Sequence, residues 1–599
     1  MLTPVAVFAA LLVQSAAPAA PASSVPALGP LVARPASELE QVIERFSTDR
    51  TALTRRYDAD DSPDQRRKMR ELYAGWQSNL HDVDFGKLGL EGRADYVLLD
   101  NYLKHQLALL ARRDKQRAET APLLPFADRL LGLQDARRNL TTVDPPGSAR
   151  ALAAVAQQVD SLRALFEPSR DSARAGAKPQ PTRTIANRAA GDLDDLRETL
   201  RAWFRYYDGY DPVFSWWVKD PWQKTDSALA RYARTLRERV VGFKPGTAQN
   251  AGPIVGDPID AAGLKEELAY EMIPYTPQEL IAIAEREYAF SLQEIKAAAR
   301  ELGFGDDWKA AMEKVKNTYV DPGRQPDLVR DLAKQAQDFF DQHDWVTIPP
   351  LAREDWRMEM IPPERQRVSP FFLGGEVIQV SYPTAEMTDE EKLMSMRGNN
   401  PHFSHATVFH ELNPGHHLQG WMSARYNSHR RLFGTPFWNE GQSLYWEMFL
   451  WDHGFQVSPE DRIGALFWRM HRSARIIFSL NFHLGKMTPE QAVQFLVDTV
   501  NFERANAEGE VRRSFGGQYG PLYQAAYMIG GLQLRALHAE LVDTKKMTER
   551  EFHDAVLQGG PMPIAMVRAR LLQLSLTRDG PAAWRFAEKL PAPVSRARR

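Results

Sequence analysis

The sequence predicts a mainly α-helical protein with one small sheet, on three observations. Apolar residues recur three and four positions apart along most of the chain, the spacing of one helix face. Helix-start signatures of the S/T-x-x-E type precede two of those stretches, at Ser37 to Glu40 and Thr276 to Glu279. Strand-like patterning is confined to one region between 345 and 383.

Taken in chain order, Ser37 opens a helix whose Leu39, Val42, Ile43 and Phe46 share a face. Leu98, Leu99, Tyr102, Leu103 and Leu110 carry the pattern through the next long segment, and Leu196, Leu200 and Phe204 through a later one. PSRDSARAGAKPQPTRT, residues 168–184, is polar and broken by proline, and so reads as a surface loop. KPGTAQNAGPIVGDPIDAAG, residues 244–263, is a second break. It separates an N-terminal helical part, 38–245, from a C-terminal helical part, 264–590. In GGEVIQVSYP, residues 374–383, Ile378, Val380 and Tyr382 line one face of a strand and Val377, Gln379 and Ser381 the other.

At 599 residues the chain is long enough for one large domain or several lobes. Its 43% hydrophobic and 25% charged residues are ordinary for a folded globular protein and exclude disorder throughout. Lys and Arg number 75 against 77 Asp and Glu, a formal charge of -2, with no long block of one sign, so no nucleic-acid partner is expected. There is no cysteine. Disulfide frameworks, thiol nucleophiles and cysteine metal sites are therefore excluded, and any metal must sit on histidines and carboxylates.

The N-terminus, MLTPVAVFAALLVQSAAPAAPASS, carries an apolar run of about ten residues and then A-P-A sites at 17–19 and 20–22, the form of a cleaved export signal. The expectation is a signal over 1–22 and an Ala/Pro-rich linker over 23–37, although no Lys or Arg precedes the run. The run is too short to span a bilayer, so stable membrane insertion is not expected. Without a cysteine there is no lipid-attachment residue, which places the expected product in the periplasm or outside the cell.

Residues 409–420, FHELNPGHHLQG, carry the first chemical signal, on a helix that Ser404 can cap and that Ala406, Val408 and Phe409 make apolar. His410 followed by Glu411 on a helix begins a zinc-peptidase site when a second histidine stands at i+4. Here i+4 is Pro414, and the next histidines are His416 and His417. On a regular helix i+6 is about 120° out of azimuth, whereas i+7 has the azimuth but a rise of roughly 10 Å. Pro414 cannot donate to the His410 carbonyl and crowds it, so the turn opens there, and Gly415 supplies permissive backbone. A two-residue bulge over 413–415 would return His416 to the azimuth of i+4; His417 is the alternative second ligand.

A catalytic zinc needs a third protein ligand and an open position. In FWNEGQSLYWEMFLWDHG, residues 437–454, Glu440 lies 24 residues beyond His416 near the start of an apolar helix, and its spacing suits that role. Standing alone it would read as a solvated first-turn glutamate favoured by the helix dipole. Glu447, at i+7 on the same helix, shares its azimuth and can support a ligand from behind. Glu411 points beside the metal, where it can take a proton from water and pass it to a leaving amine. A buried salt-bridge glutamate is the alternative reading.

Together HELNPGHHLQG, NEGQSLYWE, NFHLGKMTPEQA, PLYQAAYMIGG and FHDAVLQGGPMP resemble the bacterial domain of unknown function 885 family of candidate zinc metallopeptidases, over about residues 38–590. That family is similar to the gluzincin helical peptidases, among them angiotensin-converting enzyme, carboxypeptidase Taq and dipeptidyl peptidase III. In those relatives the HE pair is followed by Gly-His, and the third ligand is a glutamate on the next helix. By that likeness Gly415-His416 matches Gly-His and Glu440 the distal glutamate, although the insertion before Gly415 is longer here. NEGQS is also similar to the ESQS string of carboxypeptidase Taq. The resemblance places Tyr527, in YQAAYMIGG, where a phenol could hydrogen-bond an oxyanion; the other reading is a core tyrosine with Tyr523 one turn earlier. His483 matches a further recurrent position, able to bind a substrate carbonyl or to close the turn before the Thr488 helix.

The resemblance thus implies a mainly α, large helical gluzincin-like peptidase fold enclosing a deep cleft, with the 374–383 strand as an edge along it. Zn2+ would be held by His410, His416 and Glu440. The expected reaction is hydrolysis of peptide bonds in short unfolded peptides, with water as nucleophile and Glu411 as base and acid. The alternatives are a zinc amidase or processing peptidase acting on one specialised amide, and a peptide-binding protein without catalysis. Arg512 and Arg513 are candidates for a carboxylate clamp. His402, His405, His429 and His471 have no partner pattern and read as structural.

Overall fold

Thr276 Oγ accepts from Glu279 N, and the Glu279 carboxylate accepts from Thr276 N, so the second capping box forms as its spacing predicts. The first does not. Leu39 stands at the N-cap of the helix Glu40–Arg56, and Ser37 Oγ accepts from Leu39 N at 3.2 Å instead. The computed structural model describes residues 37–167, 180–246, 252–366, 374–517 and 519–596. The export signal over 1–22, the linker up to residue 36 and most of the 168–184 loop lie outside the described residues.

Helices make up most of the described chain, and its one sheet is a parallel pair, β1 (Arg357–Met360) and β2 (Val377–Val380). Arg357 lies opposite Val377 and Met360 opposite Val380. Ile378 and Val380 are buried while Val377 and Gln379 are half-buried, the predicted alternation. Tyr382 falls beyond the end of the strand. Just before β2, Gly375 N donates to Glu411 O at 3.2 Å, which ties the strand to the HE pair.

The apolar faces gather into three large cores. One runs from Leu39 and Leu103 to Met566 and Phe586, so the first N-terminal helices pack with the C-terminal part. A second, holding Phe403, Phe467 and Phe515, lies within residues 295–515. The third draws on residues 123–236, with Ala59 the sole earlier member. The break at 244–263 therefore does not divide the cores.

Buried charge joins the two ends as well. Arg430, with none of its surface exposed, donates to Asp95 Oδ1 at 2.6 Å, and His429 Nε2 meets Asp95 Oδ2 at 2.8 Å. Arg570 adds a two-pronged pair to Glu91 at 2.8 and 2.9 Å on the same helix, Leu90–Thr120. Fork-shaped pairing of this kind satisfies charges that burial would otherwise penalise.

Three longer helices carry the central region. Pro436–His453 starts on Thr435, whose side chain accepts from Trp438 N, and stops at Gly454 in the left-handed conformation. Pro459–His483 starts on Ser458 in the same way, with Glu460 and Asp461 in its first turn. Tyr523–His538 crosses the first of these at a glycine contact. A Cβ on Gly530 would stand 2.3 Å from Phe437 O, and one on Gly441 2.5 Å from Gly530 Cα, so this crossing requires glycine on both helices. It brings Glu440 to Tyr523.

Candidate metal centre

The helix carrying the HE pair is short, Val408–Glu411, and the chain leaves it at Leu412. The Asn413-Pro414 peptide is cis, and a new helix runs over His416–Ser423. Gly415 N reaches back to Phe409 O at 3.0 Å, closing a six-residue span in place of a regular turn. A Cβ on Gly415 would lie 1.9 Å from His410 O, so only glycine fits the return. Sequence spacing suggested a bulge within one helix; a full break between two short helices does the same work. Ser404 does not cap the approach, because Asn400 caps Pro401–His405 and Thr407 makes no cap bond to Val408–Glu411.

This break turns His416 toward His410 and His417 away. The His410 and His416 rings are 4.9 Å apart and nearly perpendicular, at 84°. Glu440 Oε2 lies 3.5 Å from His410 Nε2 and 3.3 Å from His416 Nε2. His417 Nε2 lies 2.9 Å from both Ala352 O and Asp355 Oδ1, with its ring buried there.

Three ligand atoms about 2.0–2.2 Å from one tetrahedral ion stand roughly 3.3–3.5 Å from each other, so the two edges that meet at Glu440 Oε2 match what zinc requires. The surroundings direct the same atoms inward. Glu447 Oε1 accepts from His410 Nδ1 at 2.7 Å, and Ser443 Oγ lies 3.2 Å from His416 Nδ1. With those nitrogens occupied, each ring presents Nε2 to Glu440. Tyr523 donates its hydroxyl to Glu440 Oε1, leaving Oε2 for the cluster. This donor set, two imidazoles and a carboxylate, suits zinc.

The charges agree with a cation site. Burial disfavours a charged His410, but hydrogen bonds to Glu440 and Glu447 outweigh it and raise the ring to about 9. Burial likewise works against an ionised Glu440, yet His416 and His410 hold its carboxyl well below the usual range. Positive charge is what this carboxylate is built to face.

A cavity of ≈ 230 Å³ opens over the cluster, lined by His410, Glu411, His416 and Glu440. Tyr527 is in its wall, its ring 6.3 Å from His410 and nearly parallel to it. His483 is not in that wall. It is buried at the end of its helix, where desolvation lowers its pKa to about 4. Of the histidines read as structural, His402 meets Asp461 at 2.7 Å, His405 stacks on Phe455, and His471 lies 3.6 Å from Glu510.

Sequence reasoning missed Tyr523 as a partner of Glu440 and missed two arginines of the wall, Arg472 and Arg475. A usable signal existed: Arg469, Arg472 and Arg475 recur every third residue on an otherwise apolar helix, where charge needs a reason. Of the proposed clamp pair, Arg513 lines the cavity, whereas Arg512 donates to Gly252 O at 2.8 Å outside it.

Fold and cluster together define a mainly helical protein with a candidate His-His-Glu metal centre. The chain belongs to the family described as a bacterial protein of unknown function (DUF885), whose profile matches residues 50–571. Among solved structures it is similar to a candidate lipoprotein of unknown function from Shewanella oneidensis, with a TM-score of 0.65 at 18% identity over 90% of this chain and 100% of that one. It is also similar to a candidate lipoprotein from Colwellia psychrerythraea, with a TM-score of 0.53 at 15% identity over 89% and 97% of the two chains. At these identities the likeness is one of fold. No curated protein matches the sequence.

Proposed function

We propose that the protein is a zinc-dependent hydrolase of peptide bonds, of the gluzincin-like class, acting on short unfolded peptides. The observation that carries this reading is the placement of Glu440 Oε2 3.5 Å from His410 Nε2 and 3.3 Å from His416 Nε2, with the three residues within reach of one ion in a cavity that Glu411 also lines. Zinc bound there would supply Lewis acidity, polarising the scissile carbonyl and making water a nucleophile near neutral pH.

The chain's own residues account for the proton. Glu411 takes one proton from the attacking water as its oxygen bonds to the acyl carbon, and delivers it to the amine nitrogen as the C–N bond breaks. Glu447 fixes the tautomer of His410, and Tyr523 fixes the rotation of Glu440. Tyr527 is the oxyanion donor in this reading. A cavity below the roughly 300–1,000 Å³ of ordinary ligand sites favours a narrow, extended segment over a folded surface.

Export is part of the same proposal. It rests on the apolar run and small-residue sites at the N-terminus and on the candidate lipoproteins that share the fold. No helix among the described residues is long and apolar enough to cross a membrane. This sequence has no cysteine to carry a lipid.

The reading is tested with a mixed peptide library and mass spectrometry of the products. The zinc-loaded protein should cut, lose cutting on chelation and regain it with zinc. Glu411→Gln should keep its zinc while its rate falls by about 10²- to 10⁴-fold. Cutting by Glu411→Gln at the normal rate would refute the mechanism, and no cutting by any zinc-loaded sample would refute the activity.

A further inference from the structure

The cavity wall beside the metal cluster is built from three buried guanidiniums. Arg472, Arg475 and Arg513 keep 6%, 2% and 14% of their side chains exposed. Two carboxylates hold them. Glu510 accepts from Arg475 Nε at 2.7 Å and pairs with Arg513 Nη2 at 2.7 Å, and Glu447 Oε1 lies 3.4 Å from Arg472 Nη2. His471, beside Glu510, is held neutral, since burial and the charge of Arg475 lower it to about 3.

Arg472 Nε, Arg475 Nη1 and Arg513 Nε have no hydrogen-bond partner among the described residues. Buried donors in native proteins are nearly always matched, and buried charge is nearly always paired. Those atoms are shielded from solvent, so a ligand meets the rest of each side chain where the three residues line the cavity. Planar guanidinium forks suit a carboxylate, which accepts two parallel N–H bonds.

Position narrows the ligand further. The Tyr527 ring has Arg475 4.4 Å and Arg472 4.8 Å from its centre, and it lies 6.3 Å from the His410 ring. At about 3.3–3.6 Å per extended residue, an anion held by these arginines is no more than about three residues from a bond at the cluster. The only carboxylate that every unmodified peptide carries at a fixed distance from its end is the C-terminal one.

We propose that Arg472, Arg475 and Arg513 bind the free C-terminal carboxylate of the substrate, so that the enzyme removes one to three residues from the C-terminus. This rests on the hydrolytic reading for its chemistry but not for the binding site itself.

The test is calorimetric titration of the zinc-loaded Glu411→Gln protein with N-acetyl-trialanine and with its C-terminal amide. The acid should bind about tenfold tighter or more. Arg513→Gln, combined with Glu411→Gln and checked for unchanged zinc content, should bring the two affinities together. Equal affinities for acid and amide in the parent protein would overturn the proposal. So would inorganic phosphate that displaces the acid peptide while acid and amide bind alike, since that marks a general anion site.

The active protein separates this inference from the function it builds on. If peptides are cut equally well as acid and amide, the hydrolytic reading stands and the clamp falls. If the acid binds preferentially but nothing is cut, the clamp stands and the hydrolytic reading falls.

Discussion

Glu447 Oε1 accepts the Nδ1 proton of His410 at 2.7 Å, and this bond leaves Nε2 as the nitrogen that faces Glu440. Removing the negative charge while keeping the shape, as Glu447→Gln, should weaken zinc binding about 10- to 100-fold without unfolding the protein. Competition against a chelator of known affinity measures it. Unchanged affinity would mean that Glu447 serves only to hold Arg472.

The two tyrosines should separate by what they lose. Tyr523 spends its hydroxyl on Glu440, so Tyr523→Phe should lower metal affinity. Tyr527→Phe should keep zinc and lose about 10²- to 10³-fold in kcat with little change in KM, the signature of a bond made in the transition state. If Tyr527→Phe turns over normally, its ring is there to pack beneath Arg472 and Arg475.

Gly415→Ala tests the break between the two short helices. Its Cβ would stand 1.9 Å from His410 O, so the backbone must shift, at a cost of about 1–3 kcal/mol. Because that carbonyl belongs to a metal-cluster residue, lowered Tm should come together with lost zinc. A variant that melts earlier yet keeps its zinc would show that the return of His416 tolerates another path.

Glu271 predicts a pH dependence of stability. Burial pushes its carboxyl up to about 8, opposed by a hydrogen bond with Thr435 and aided by the charge of Glu267. Its Oε2 has no hydrogen-bond partner among the described residues. Below an ordinary value of 4.5 both folded and unfolded chains hold the proton. From there to about 8 only the folded chain does, so stability falls as pH rises and the loss is complete above it. Glu271→Gln should match the parent in Tm near pH 4 and melt higher at pH 8, where its stability should be greater by on the order of a few kcal/mol. Equal Tm values at both pH values would contradict the assignment.

What was legible in the sequence was local. His410, Glu411, Pro414, Gly415 and His416 lie within one turn or two of each other, and Pro414 forces an opening that spacing alone reveals. Glu440 stands beside the two histidines, the neighbourhood that its spacing after the HE pair suggested. The capping box at Thr276 was legible too, since its four residues satisfy each other. The failures depend on tertiary packing. Ser37 and Ser404 have cap chemistry but do not cap, and Asn400, closer to its helix start, takes the second place. Tyr523 reaches Glu440 only because Gly441 and Gly530 let two helices touch, a contact between residues distant in the chain. Arg475 and Arg513 meet on Glu510 for the same reason.

The most direct test of the metal centre is zinc content after exhaustive dialysis, measured in the parent protein, His416→Ala and His417→Ala. One zinc per chain is expected in the parent and in His417→Ala, and almost none in His416→Ala. Zinc retained by His416→Ala but lost by His417→Ala, or no zinc in any of the three, would contradict that expectation.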